Sequence, residues 1–159
     1  MSTQSRFLHE ASKVILRQAA ERMPAEEYGF RPVNTVRTFG QIVGHIADMH
    51  YIHCSVLSGD KTPRSSVEQS QTTKPGLVAA LKDALTYCDA IFRSMSDSAG
   101  ARTVQFNGAP IPRLSLLGVH HMHNMLHYGN LTTYLRIKGI VPPTSDPAVM
   151  AALMAQPGK

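Results

Sequence analysis

Four stretches of roughly twenty residues each repeat apolar side chains at helical spacing, and Gly- and Pro-rich connections separate them. The first runs from about Thr3 to Met23, with Phe7, Ala11, Val14, Ile15 and Ala19 on one face. The second, about Thr38 to Ser58, carries Phe39, Ile42, Val43, Ile46, Met49, Ile52 and Val56, and Gly59 supplies its stop. The third, about Pro75 to Met95, opens on a proline, whose missing N–H costs nothing in a first turn. Its stripe is Leu77, Leu81, Ala84, Leu85, Cys88, Ile91 and Phe92. The fourth, about Arg113 to Lys138, carries Leu116, Leu117, Val119, Met122, Leu126, Leu131, Leu135 and Ile137, and Gly139 ends it. Asp146 to Ala155 reads as a short extra helix. Helices with one apolar face each bury it by packing together, so the chain is expected to form an all-α four-helix bundle, one domain over residues 1–159.

The connections Met23–Thr38, Gly59–Lys74 and Ser96–Pro112 are too long for hairpin turns, and loops of that length are structured or functional. Strand alternation is confined to Arg102–Phe106, before an Asn107-Gly108 pair suited to a tight turn. Ser65, Ser66 and Ser94 to Ser98 read as loop and helix-end residues rather than nucleophiles.

Composition narrows the function classes. The longest apolar run, Ala148 to Ala155, is far short of the ~20 residues of a membrane span, so no membrane partner is expected. The opening MSTQSRFLHE has no apolar run behind a basic start, so no secretory signal is expected. Cys54 and Cys88 are too few for a disulfide framework and read as reduced thiols in a cytoplasmic protein. The net charge of +5 comes from scattered bases such as Arg6, Lys13, Arg17, Lys61 and Lys82, without a basic run. That pattern is a solvated surface, and no nucleic acid is expected as a partner.

Eight histidines stand out in a chain of 159 residues. His123 and His127 are four apart, so on a helix they lie one turn apart on one face and can converge on one ion. A third ligand has to come from another helix. His45, at the edge of the second stripe, is the best candidate, with His53 two turns on and His120 as alternatives. His9, His50 and His121 are expected to face solvent. Glu10, Glu21, Glu26, Glu27 and Glu68 all lie outside the second, third and fourth helices, and no Glu-x-x-His occurs, which excludes a di-iron carboxylate centre. A metal here would be mononuclear and nitrogen-bound, as Zn, Ni, Cu or Fe(II) can be. Three protein ligands leave positions open, the catalytic pattern. Asp48, one turn from His45, and Tyr134, two turns beyond His127, are the candidate catalytic residues, as base or ligand-orienting group and as pocket lining respectively. Glycine-rich phosphate loops and Gly-x-Ser-x-Gly are absent from the sequence.

Three stretches resemble the DinB/YfiT-like family of metal-dependent four-helix-bundle proteins: MPAEEYGFRPVNTVR at 23–37, TFGQIVGHIADMHYIHCSVLSG at 38–59, and HNMLHYGNLTTYLRIKGIVPP at 123–143. The resemblance implies a bundle of unusual connection order and a divalent metal, Zn or Ni first and Fe third, held by His45, His123 and His127. Tyr128 and Asn130 depart from the Arg or His and the Gln common in the family. Gly129 is retained and is expected to admit a neighbouring helix close to the metal. The resemblance implies a hydrolase or a transferase using a low-molecular-weight thiol on a small-molecule substrate. The alternative is a non-catalytic binding or stress-response scaffold. A homodimer is expected, with the apolar tail Ala148–Met154 covering either a partner or the bundle's own end.

Overall fold

The computed structural model describes residues 1–64 and 66–155. Among them, α1 spans Ser2–Arg22, α2 Phe39–Ser58, α3 Val67–Ser70, α4 Lys74–Ser94, α5 Asp97–Ala101, α6 Arg113–Ile137 and α7 Pro147–Met154. The four long helices are the four expected ones, and their ends follow local chemistry. Thr38 and Gln41 form a reciprocal capping box that starts α2, and Gly59 ends it at φ 85°. Thr73 caps α4, and Asp146 caps α7.

The connections hold structure of their own. A 3-10 turn at Ala25–Glu27 follows α1, α3 lies between α2 and α4, and α5 precedes a hairpin. The expected strand is β1, Thr103–Phe106, paired antiparallel with β2, Ala109–Pro112. Asn107 and Gly108 both take positive φ, the backbone of a type I′ turn. Ser65 lies outside the described residues, and Ser66 precedes α3.

Helix order explains the long connections. α1 and α2 each pack against α4 and α6, so α1 and α2 occupy opposite corners of the bundle, as do α4 and α6. Two of the three crossings between long helices therefore run diagonally, which a hairpin turn cannot span. At the tail, Val149 and Leu153 of α7 join the main apolar core, so the tail covers the bundle's own end.

The core has two apolar halves. One gathers residues such as Leu16, Ile42, Leu81 and Leu131, and the other Leu57, Phe92, Leu116 and Leu117. Histidines lie along the helices where these halves meet, and here three expectations are corrected. His9 and His50 are buried and His121 is half-buried; none faces open solvent. On α1 the inward face of the first turns is Ser5, His9 and Ser12, while Phe7 and Leu8 are turned out. The polar residues are inside because each has a partner: Ser5 Oγ meets His121 Nε2 at 2.8 Å, His9 Nε2 meets Asp89 Oδ1 at 2.9 Å, and Ser12 donates to the Leu8 carbonyl. His9 also stacks on Phe92, with ring centroids 4.0 Å apart. On α6, Met122, Leu126 and Ile137 are exposed rather than part of the core stripe, because His120, Asn124 and His127 take the inward face.

The cysteine reading is also corrected. Cys54 of α2 and Cys88 of α4 form a disulfide, their Cα atoms 5.6 Å apart across the two packed helices. Sequence separation hid the pair, and the cysteines no longer argue for a reducing compartment. No helix among the described residues is long and apolar enough to cross a membrane.

Candidate metal centre

His45 on α2 and His123 and His127 on α6 converge. Each offers a ligand atom, and the three atoms lie within 4.8 Å of one another. His45 Nε2 and His123 Nε2 are 3.1 Å apart. Two nitrogens bound to one ion at about 2.1 Å stand roughly 3.0 to 3.4 Å apart for angles from square to tetrahedral. The pair therefore has the spacing of two ligands on a shared ion, and the donor set of three imidazoles suits a borderline metal.

Burial keeps these rings neutral, the form that binds metal. It pushes His123 down to about 3, with His127 and His45 adding to the effect. Burial likewise brings His127 to about 4, helped by His45 and Arg37. For His45, burial and the Arg37 charge lower the pKa against the opposing pull of Glu68.

Glu68, which the sequence reading left out of the site, stands behind His45. Its Oε2 lies 3.2 Å from His45 Nδ1, and its Oε1 accepts from Arg37 Nε at 2.8 Å. A carboxylate on Nδ1 fixes the ring and leaves the Nε2 lone pair for a metal. Glu68 reaches this place because its backbone lies directly on α2. A Cβ at Gly44 would come within 2.6 Å of the Glu68 Cα, so only glycine admits that approach. Gly129, expected to play this part, has nothing within 4 Å of a Cβ built on it. The one hint of Glu68 in the sequence was its place in an overlong connection.

Asp48 stands apart from the three imidazoles. Its two oxygens accept from the backbone N–H groups of Val67 and Glu68, at 2.7 and 3.0 Å, and hold α3 against α2. Tyr134 lines the adjoining cavity and donates to the Arg37 carbonyl at 3.0 Å. Asn130 Nδ2 lies 3.4 Å from His127 Nδ1, a contact in which the amide donates and the ring nitrogen accepts. The cavity measures about 550 Å³ and opens beside His127, between Arg37, Glu68, Asn130 and Tyr134.

The remaining histidines form a second group in the core. His53 Nδ1 and His120 Nδ1 are 3.3 Å apart, and His50 Nδ1 donates to the Ile46 carbonyl. His120 was a possible ligand by spacing; its ring packs edge-on to His50, with centroids 4.4 Å apart. A further cluster, His9, Glu10 and Asp89, already holds a cation: Lys13 Nζ lies 2.7 Å from Asp89 and 3.2 Å from Glu10.

Solved structures share this fold at low sequence identity. A DinB-like protein from Bacillus cereus superposes with a TM-score of 0.75 at 16% identity, covering 84% of this chain and 90% of that one. YfiT from Bacillus subtilis, described as a probable metal-dependent hydrolase with an unusual four-helix bundle topology, gives 0.67 at 21%, covering 87% and 88%. A mycothiol-dependent maleylpyruvate isomerase gives 0.70 at 16%, covering 98% of this chain and 68% of that one. Likeness at this identity shows the fold alone. No curated protein matches the sequence. The DinB superfamily pattern matches residues 9–131, well over half of the chain, and the protein belongs to that superfamily.

Proposed function

We propose that the protein is a metal-dependent enzyme, a hydrolase or a low-molecular-weight-thiol transferase, with Zn or Ni, or else Fe, held by His45, His123 and His127. The carrying observation is the convergence of three neutral imidazoles beside a 550 Å³ cavity. YfiT's description as a probable hydrolase and the isomerase's dependence on mycothiol support the two reaction classes. When bound, the ion supplies Lewis acidity and acidifies a water or thiol at its open position.

The chain's own groups bind and orient. Glu68 sets the tautomer of His45, Asn130 contacts the His127 ring, and Asp48 acts through Glu68 as a positioning residue. Tyr134 holds the Arg37 backbone at the cavity wall. The expected homodimer would use Met122, Met125 and Leu126, exposed along α6, and sedimentation equilibrium tests it.

The test of function is elemental analysis of untagged protein, followed by hydrolysis and thiol-transfer assays with the metal restored. About one Zn, Ni or Fe per chain with metal-dependent turnover supports the enzyme. Stoichiometric metal without turnover on any thiol or hydrolysable substrate leaves a metal-binding scaffold. No metal uptake at all sinks both.

A further inference from the structure

We propose that the substrate carries a carboxylate, which Arg37 binds beside the metal; this rests on the metal-site reading above. Arg37 is the single cationic side chain among the described residues lining the cavity. Its Nε is committed to Glu68, and the hydrogen bond from Tyr134 to its carbonyl fixes its backbone. The two Nη atoms have no protein partner among the described residues and are a fork that matches one carboxylate. Asn34 and Asn130 add amide donors on the same wall.

The charge at the site favours an anion. Three neutral imidazoles leave a bound divalent ion its full charge. Glu68, the one carboxylate among the described residues lining the cavity, is already paired with Arg37 and His45. Arg37 adjoins the site through that carboxylate: its Nε is 2.8 Å from Glu68 Oε1, and Glu68 Oε2 is 3.2 Å from His45 Nδ1. A small anion is therefore drawn to the cavity and held at two points, the metal and Arg37.

The same wall selects a carboxylate over a phosphate. The N-terminus of α2 borders the cavity, but its first N–H groups are used: Phe39 N donates to the Phe30 carbonyl, Gly40 N to the Tyr28 carbonyl and Gln41 N to Thr38 Oγ1. With those donors spent and one guanidinium available, the cavity matches a monoanion and lacks the donors that a phosphate dianion needs.

The test uses Co(II)-loaded protein and two thiols that differ only in the anion, 3-mercaptopropionate and its neutral amide. Thiolate-to-Co(II) absorption reads binding of each. Wild type should bind the acid about tenfold or more tightly than the amide, and Arg37→Gln should bring that ratio near one with amide affinity unchanged. An equal ratio in both proteins overturns the proposal, and so does inorganic phosphate displacing the acid at lower concentration than acetate does. If cobalt does not bind, the metal reading fails; in that case, or if cobalt binds but neither thiol does, the metal-free protein decides on Arg37. There, acetate but not acetamide should shift the NMR signals of the Asn34 and Asn130 side-chain amides in wild type and not in Arg37→Gln. No shift in wild type overturns the carboxylate assignment.

Discussion

Two pairs of histidines bridge α2 and α6, and their ring nitrogens stand at almost the same distance. His45 and His123 meet at 3.1 Å, and His53 and His120 at 3.3 Å. The first pair has His127 within ligand reach, Glu68 behind one ring and a cavity at its side. The second pair is sealed between the two apolar halves of the core, and among the described residues no third ligand atom converges on it. Nitrogen spacing therefore does not distinguish a metal centre from a polar core. What sets the first pair apart as the candidate is a third donor, a carboxylate that fixes the tautomer, and access to the cavity.

The largest effect expected is on metal content. The double variant His123→Ala, His127→Ala should lose the metal outright while the helical circular dichroism is retained. His120→Ala should keep about one metal per chain and lose about 3 kcal/mol of stability, through the cavity created and the unpaired His53 left behind. Loss of metal from a folded His120→Ala protein would break the distinction between the two pairs.

Next comes acid. Burial pushes His50 down to about 3, and His53 to about 4, and holds His120 well below its ordinary value. In the unfolded chain each protonates near pH 6.5. Between about pH 6.5 and 4 the unfolded state thus binds more protons than the folded one, and stability falls as pH falls. Each ring that stays neutral in the folded state while the unfolded state protonates contributes up to about 1.4 kcal/mol per pH unit. Urea midpoints of the metal-free protein should drop steeply across that window. A flat profile would mean that the core histidines are hydrated.

The Cys54–Cys88 disulfide ties α2 to α4 beside the core pair, closing a loop with a sequence separation of 34. Replacing both cysteines by alanine should cost about 3 kcal/mol in denaturant while metal content stays unchanged. Unfolded without reductant, the wild type should show no free thiol; two titratable thiols would remove the bond.

Local signals set the four long helices and two imidazoles of the candidate centre. Capping at Thr38 and Thr73, the stop at Gly59 and the four-residue interval from His123 to His127 depend on neighbours in sequence. Facing depends on partners far along the chain. Phe7 turns outward and His9 inward because Asp89, on α4, receives the imidazole. The disulfide and the diagonal helix order are likewise relations between distant segments. Glu68 is the clearest case: its position depends on a glycine and an aspartate on α2, neither of which belongs to the candidate triad.

That dependence gives the smallest and sharpest prediction. Glu68→Ala removes the carboxylate from His45 Nδ1 and should weaken metal binding about tenfold to a hundredfold, measured by competition with a chromogenic chelator. Gly44→Ala leaves the carboxylate in the sequence but drives a methyl into the Glu68 backbone. If the close approach at Gly44 is what delivers Glu68 to His45, the two variants should lose affinity to a similar degree, and combining them should add little. Additive losses would mean that Gly44 acts on the centre by another route, such as a shift of α2 itself. A Gly44→Ala protein of wild-type affinity would show that α3 can move aside while Glu68 keeps its hold, leaving Asp48's grip on the Val67 and Glu68 amides as the stronger constraint.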